Sequence, residues 1–336
     1  MKICMKEWMA DIIRSNQRIA IPVMTHPGIE LTHHTVKEAV TNGAVHYEAV
    51  RALAEKYSFS AASVIMDLTV EAEAFGAQIE FPENDIPNVI GRLVSNSEEI
   101  DALSVPSLSA GRLPEYIEAN RLIAAHVNKP VFAGCIGPYS LAGRLYDMSE
   151  IMMAVFINPE EIKHLLEKCT EFIIRYCEAL KNAGANAVLI AEPAAGLLSN
   201  DVCQEFSSVY IRKIVECVQD DYFSVILHNC GNVGQCTDAM LYTQAAGYHF
   251  GNSINMCETL EKCPSEVWVM GNIDPVSVMK MGTPELVYEE TLRLLRLTEK
   301  YPNFILSTGC DVPVGVPLNN IDMFSKALCD FNNARG

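Results

Sequence analysis

Apolar residues along the chain alternate between short β-like runs and longer amphipathic stretches. The stretch 159–183 carries apolar residues three and four positions apart, which predicts a helix lying on a sheet. Strand-like runs rich in Val, Ile and Ala separate such stretches eight times, so the pattern predicts the α/β class and a (β/α)8 TIM barrel. The predicted strands are 19–24, 62–66, 130–134, 187–191, 224–227, 248–252, 267–270 and 304–307.

One segment interrupts this rhythm. Residues 77–114 contain four prolines and no sustained period, which predicts an excursion folding over a barrel mouth. No linker or low-complexity tract divides the chain, so we expect one domain over residues 1–336. An open doubly wound sheet is the competing architecture, but no Gly-x-Gly-x-x-Gly or Walker-type loop follows a predicted strand.

Composition narrows the function classes. A net charge of −17 and a pI near 4.9 argue against a nucleic-acid partner, because no basic cluster offsets phosphate repulsion. The longest apolar run, 151–157, is far shorter than the roughly 20 residues that span a bilayer. The first 18 residues mix charges with apolar side chains and lack a signal-peptide core, so a cytoplasmic location is predicted.

Two motifs carry the strongest chemical signal. Leu-His-Asn-Cys-Gly places His228 and Cys230 at the end of the fifth predicted strand, and Ser-Thr-Gly-Cys-Asp places Cys310 at the end of the eighth. His228 and Cys230 share one strand face, and strands three apart face each other obliquely across a closed barrel. One imidazole and two thiolates therefore predict a zinc site with an open fourth position for water or a substrate thiol.

A plainer interpretation stays open on spacing alone. Cysteine is among the most buried residue types, and His228 can be a hydrogen-bonded histidine at the barrel mouth. The chain has 12 cysteines, and most of the others lie in helix-like segments where packing explains them. In a cytoplasmic chain they are expected to be reduced thiols, with a subset available to metal.

Three further motifs resemble those of the uroporphyrinogen decarboxylase superfamily. They are Gly-Cys-Ile-Gly-Pro-Tyr-Ser-Leu-Ala at 134–142, Gly-Asn-Ile-Asp-Pro at 271–275, and the segment 309–317. The resemblance is collinear over nearly the whole chain and implies a (β/α)8 barrel. It implies one of two activities, porphyrinogen decarboxylation or methyl transfer from a methylated corrinoid protein to a thiol such as coenzyme M. It is compatible with a homodimer.

The resemblance separates these activities at two places. The decarboxylases carry an arginine-rich first loop, whereas here no arginine occurs between Arg18 and Arg51, so the charge that holds a tetrapyrrole's carboxylates is missing. The methyltransferase branch carries His-x-Cys and a later Cys as zinc ligands, and His228, Cys230 and Cys310 match them. Zinc is the ion expected for this ligation.

Five other residues are predicted to act in the site, and two of them also have a purely structural interpretation. Glu192 is predicted as a catalytic residue, as fourth zinc ligand or proton acceptor, or else as a salt-bridge acceptor. Asp67 matches the family's active-site aspartate and is predicted as the second catalytic residue, which would orient a ligand or else bind loop amides. His26, Tyr139 and Asn272 follow predicted strands and are predicted to contact the cofactor at the mouth.

The leading hypothesis is a zinc-dependent methyltransferase. A thiol substrate, activated as a zinc thiolate, would attack the methyl group of a methylcorrinoid delivered by a separate corrinoid protein. The alternatives are a decarboxylase or lyase anchored by Asp67 and a non-catalytic corrinoid or tetrapyrrole carrier.

Overall fold

Seven parallel strands form the curved central sheet in a computed structural model, which describes residues 3–335. Each strand pairs with the next one of this sheet along the chain, in the order β1-β4-β5-β6-β7-β8-β9. A separate antiparallel hairpin joins β2 to β3. The strands are β1 Ala62–Ser63, β2 Gln78–Glu80, β3 Asn88–Ile90, β4 Val131–Ile136, β5 Ala187–Ala191, β6 Ser224–Asn229, β7 Gly247–Phe250, β8 Trp268–Ile273 and β9 Phe304–Thr308.

The segment 19–24 closes this sheet into a barrel, although it is not the regular strand that the pattern predicts. Its contact with β9 is a single parallel bridge between Ala20 and Leu306, and the Ser60 backbone N–H donates to the Ala20 carbonyl on the other side. Pro22 has no N–H to donate, which shortens the ladder. The segment nonetheless occupies the eighth position, and the predicted (β/α)8 barrel is confirmed.

Helices alternate with the strands around the outside of the barrel. The predicted helix 159–183 is confirmed as the longest of those in the described part of the chain. The α-helices are α1 Met5–Arg14, α2 His26–Leu31, α3 Val36–Thr41, α4 Gly43–Lys56, α5 Val70–Phe75, α6 Ser97–Ala102, α7 Leu113–His126, α8 Pro138–Tyr146, α9 Met148–Ile157, α10 Pro159–Asn182, α11 Asn200–Cys203, α12 Val209–Val218, α13 Thr237–Tyr242, α14 Met256–Lys262, α15 Pro284–Leu297 and α16 Leu318–Asn333; short 3-10 or π turns cover Pro193–Leu197, Gln204–Ser208 and Pro275–Lys280.

The barrel has two apolar layers, because neighbouring strand residues point to opposite faces. Ile226, Met270 and Ile305 fill the interior, whereas Val225 and Leu306 pack outward against the helices. None of the helices within residues 3–335 combines the length and the apolar character needed to cross a membrane.

The segment 77–114 is more ordered than its sequence pattern predicts. It contains the β2–β3 hairpin and α6, and its last two residues begin α7. The hairpin strands are short and half exposed, so they lack the apolar alternation that would reveal them in the sequence.

A buried ion-pair network fixes the chain around the loop after β1. Arg112, directly before α7, donates to the carboxylates of Asp67 and Glu73, to the Thr69 hydroxyl and to the Val40 carbonyl. All five donors of a guanidinium lie in one plane, so one side chain can join several loops. The network connects the β1 loop with α3, α5 and α7.

Removing the cation from this network should destabilise the protein strongly. In Arg112→Leu the Asp67 carboxylate would stay buried without a counter-charge, and we expect the free energy of unfolding to fall by about 3 kcal/mol. Chemical denaturation followed by circular dichroism measures this change. The control is Arg121→Leu, since Arg121 is exposed and pairs with Glu118 at the surface. Equal stability of the two variants would contradict the role given to the network.

Candidate functional site

The predicted metal ligands meet at the carboxyl end of the barrel. His228 has the inward parity of Ile226 on β6, and Cys230 follows one residue after that strand ends. Cys310 follows β9 by two residues, beyond Gly309. The order β6-β7-β8-β9 places the two strand ends across the curved sheet from each other. The active sites of TIM-barrel enzymes lie at this end.

The geometry of the three side chains fits a zinc ion. The ligand atoms of His228, Cys230 and Cys310 all lie within 4.8 Å of one another, and His228 Nε2 is 3.7 Å from Cys310 Sγ. At ordinary zinc bond lengths, nitrogen and sulfur ligands lie about 3.6 Å apart around a tetrahedron. His228 is buried, whereas both cysteines are partly accessible. This donor set would hold zinc with one position open toward solvent or substrate.

The two thiols influence each other's protonation, because their sulfur atoms lie within 4.8 Å of each other. The contact from the Cys310 thiol lowers the pKa of Cys230, and the same contact together with burial raises the pKa of Cys310. Cys230 is therefore the thiol that ionises first. A metal ion would bind both sulfurs as thiolates, since the thiolate is the ligand form of cysteine.

His249, which the sequence analysis missed, fixes the orientation of the His228 ring. The two residues are register partners on β6 and β7, and their Nδ1 atoms lie 2.7 Å apart. His249 Nε2 lies 2.8 Å from Ser307 Oγ on β9. Burial, with a smaller contribution from His228, holds the pKa of His249 well below its usual range, so this ring is neutral. When His228 Nδ1–H donates to His249 Nδ1, Nε2 is left free to ligate a metal.

Two glycines allow the strand ends to approach closely enough to form the cluster. A Cβ at Gly251 would lie 2.8 Å from the Cys230 carbonyl oxygen and 2.9 Å from its Cα. A Cβ at Gly309 would lie 2.5 Å from the Asn252 backbone nitrogen. Any larger residue would displace the loops that carry the cysteines.

The cluster lines a cavity of about 430 Å³. This volume is within the usual range for small-molecule sites, and apolar residues form much of the wall. Residues 85–88, within the predicted excursion, form one side. A larger cavity of about 650 Å³ lies at the opposite end, before β4, β5 and β6, where barrels carry structure rather than chemistry. The lining is Val23, Met66, Leu68, Thr69, Asp85, Ile86, Pro87, Asn88, Arg144, Ala191, Pro193, His228, Cys230, Cys310 and Asp311.

The sequence of the chain matches a known family over most of its length. The profile described as uroporphyrinogen decarboxylase (URO-D) matches residues 17–331. The chain belongs to the uroporphyrinogen decarboxylase family. This confirms the resemblance stated from the motifs.

Individual relatives include both methyltransferases and decarboxylases of the uroporphyrinogen decarboxylase family. The methylcobamide:CoM methyltransferase MtbA of Methanosarcina acetivorans is 27% identical over 316 residues, covering 89% of this chain and 91% of that protein. A uroporphyrinogen decarboxylase of Anaeromyxobacter dehalogenans is 28% identical over 298 residues, covering 84% and 82%. The solved structure of a methyltransferase from Methanosarcina mazei superposes with a TM-score of 0.88 at 23% identity, covering 96% and 97%, which shows the shared fold. The predicted enzyme class, methyltransferase, is confirmed by the methyltransferase relatives.

Two predicted site residues, Glu192 and Tyr139, are not among the residues that line the cavity. The Glu192 carboxylate accepts hydrogen bonds from the backbone N–H groups of Tyr139 and Ser140, in the first turn of α8, and from the Ser207 hydroxyl. Burial raises the pKa of Glu192 although these bonds oppose the shift. The Tyr139 side chain is fully buried. Neither residue joins the metal-ligand cluster.

The remaining predicted residues surround the site without lining the cavity. Asp67 is held by Arg112 in the ion-pair network. Asn272 donates to the carbonyls of Gly251 and Ile254 and so supports the loop after β7. His26 is buried, with Nε2 3.5 Å from an oxygen of Asp311, which does line the cavity. These three act on the shape of the site through neighbours.

Several lining residues escaped the sequence analysis. Asp311 directly follows Cys310 and belongs to the segment 309–317 that carries the resemblance. Arg144 lies in α8, two residues beyond the segment 134–142. His249 had its own signal, because a histidine inside an apolar strand needs a polar partner. Its pairing with His228 could be read only once the strand register was known.

Loss of His249 should weaken metal binding while leaving all three ligands in place. In His249→Phe the Nδ1 partner of His228 disappears, and we expect zinc affinity to fall about 10-fold to 100-fold. A competition titration with a zinc chelator measures the change, and thermal unfolding checks the fold. Ser307→Ala, one hydrogen bond further away, should have a smaller effect. Unchanged affinity in His249→Phe would show that the ring does not orient His228.

Proposed function

We propose that the protein transfers a methyl group from a methylated corrinoid, carried by a separate protein, to a small thiol. The observation that supports this most is the convergence of His228, Cys230 and Cys310 on one wall of the cavity. Two thiolates and one imidazole form an open zinc site that suits thiol alkylation. The methyltransferase relatives include proteins named for methylcobamide and coenzyme M, which supports the same reaction class.

The residues of the chain would bind and orient the reactants. His228, Cys230 and Cys310 would hold the zinc ion, and His249 would fix the imidazole through Nδ1. Zinc would lower the pKa of a ligating thiol while the two cysteine ligands keep the sulfur electron-rich. The apolar cavity wall would exclude water from the sulfur.

The atoms and electrons of the reaction balance without another reactant. A bond forms between the acceptor sulfur and the methyl carbon, and the cobalt–carbon bond breaks. Cobalt keeps the electron pair and becomes Co(I), and the thiol proton passes to solvent. The barrel contributes alignment, because displacement at carbon requires the sulfur, the methyl group and the cobalt to lie in line.

Decarboxylation of a porphyrinogen is the alternative that the family retains, and the charge of the cavity disfavours it. Arg144 is the one arginine of the cavity lining, and no lysine accompanies it. The eight carboxylates of uroporphyrinogen need several cationic partners. For the same reason we do not favour the carrier of an acidic tetrapyrrole. Conversion of uroporphyrinogen by the metal-free protein would establish the decarboxylase.

We also propose a cellular location and a methyl donor for the protein. The twelve cysteines are free thiols in the structure, as suits a reducing compartment, and we propose a cytoplasmic protein. A corrinoid protein is the proposed methyl donor, because the methyltransferase relatives are named for methylcobamide.

Removal of one ligand should abolish both metal binding and methyl transfer. We expect Cys310→Ala to lose stoichiometric zinc and to lower the rate of methyl transfer from methylcobalamin to a thiol by more than about 100-fold. Elemental analysis measures the zinc, and the absorbance of the corrinoid follows the reaction. The matched control is Cys217→Ala, because Cys217 is exposed and lies on α12 away from the cavity.

Two results would contradict this function. One is a metal-free wild-type protein with full methyl transfer. The other is a Cys310→Ala variant that folds normally, lacks zinc and retains the wild-type rate.

A further inference from the structure

Arg144 is a cation in the cavity without a partner. It lies in α8, is partly buried and lines the same cavity as the His228, Cys230 and Cys310 cluster. Within residues 3–335 its guanidinium makes no hydrogen bond or ion pair that meets ordinary distance limits. Burial lowers the pKa of Arg144, and the charge of Asp67 opposes this shift.

Arg112, a buried arginine of the ion-pair network, shows which acceptors Arg144 lacks within residues 3–335. Arg112 donates to two carboxylates, a hydroxyl and a carbonyl. Asp67, the carboxylate whose charge reaches Arg144, is already hydrogen-bonded to Arg112. A desolvated guanidinium with no such acceptors is stabilised when an anion enters the cavity, because charge-assisted hydrogen bonds replace the lost water.

The acidic residues of the cavity do not fill this role. The Asp311 carboxylate faces His26 at 3.5 Å. Asp85 is exposed, and its carboxylate accepts from the Ile86 backbone N–H. The cavity of about 430 Å³ therefore combines the three candidate metal ligands, a cation available to a ligand, and apolar lining residues such as Val23 and Leu68. A ligand that satisfies both ends carries a thiol and an anionic group on a short chain.

We propose that Arg144 determines the specificity for the acceptor by binding an anionic group, a sulfonate or a carboxylate, of a short-chain thiol. The proposal rests on the proposed function for the role of the thiol, but the anion subsite is a property of the cavity itself. Binding at two points would fix the direction of the sulfur, whereas a neutral thiol would be held at one point. The planar guanidinium suits the oxygen pairs of both anions.

A binding experiment tests the subsite without methyl transfer. Ethanesulfonate and propionate, which lack a thiol, are titrated into the full-length protein and followed by ligand-observed NMR. We expect Arg144→Gln to weaken the binding of at least one of these anions about tenfold or more, and Arg144→Lys to restore part of it. The control is Arg92→Gln, because Arg92 is exposed, pairs with Glu150 and lies outside the cavity lining.

A kinetic experiment tests the effect on specificity. Methyl transfer is measured with 2-mercaptoethanesulfonate, 3-mercaptopropionate and the neutral 2-mercaptoethanol. In Arg144→Gln the KM for the preferred anionic thiol should rise about tenfold with kcat little changed, while the KM for 2-mercaptoethanol stays constant. The preferred anion identifies the source of the negative charge as sulfonate or carboxylate, and either preference supports the proposal.

The outcomes separate this proposal from the proposed function. Arg144-dependent anion binding in a protein that methylates no thiol would overturn the methyltransferase function and leave the anion subsite standing. Methyl transfer with equal KM changes for neutral and anionic thiols in Arg144→Gln would overturn the subsite and leave the function standing. Equal binding of both anions to the wild type and to Arg144→Gln would also overturn it.

Discussion

The candidate site depends on closure of the barrel by backbone hydrogen bonds. His228 and Cys230 end one strand and Cys310 follows another, with β7 and β8 between them. A flat sheet would keep these side chains more than 10 Å apart, since neighbouring strands are about 4.8 Å apart. Closure through segment 19–24 curves the sheet and brings the ligand atoms within 4.8 Å. The cluster of His228, Cys230 and Cys310 is thus a product of long-range topology rather than of a local motif.

Hydrogen bonds fix the direction of several polar side chains at this end of the barrel. The row from His228 through His249 to Ser307 crosses the interior as one hydrogen-bonded chain above the apolar core. Glu192, equally buried, is bound by the first turn of α8, where helix N-termini favour negative charge. Arg144 differs from both, because its partner is absent from the described chain. His228, His249 and Glu192 are thus held by the protein itself, whereas the guanidinium of Arg144 is available to a ligand.

The sequence predicted the strand order, the barrel and the three clustered side chains, because these follow from period and from spacing along strands. It predicted a regular strand at 19–24, where Pro22 interrupts the ladder, and it missed the half-exposed hairpin. The roles of Glu192 and Tyr139 could not be judged from their positions after strands, because side-chain direction there depends on α8. Register between β6 and β7, which pairs His249 with His228, is likewise a tertiary property.

The close approach at Gly251 and Gly309 has a consequence for how such a site can change over evolutionary time. Neither glycine offers a functional group, yet each faces backbone atoms at a distance that no side chain tolerates. Ligands such as cysteine and histidine can be exchanged for one another with altered metal preference and an intact chain path. The glycines have no comparable substitute. Substitution is therefore more restricted at Gly251 and Gly309, which have no functional side chain, than at the candidate metal ligands.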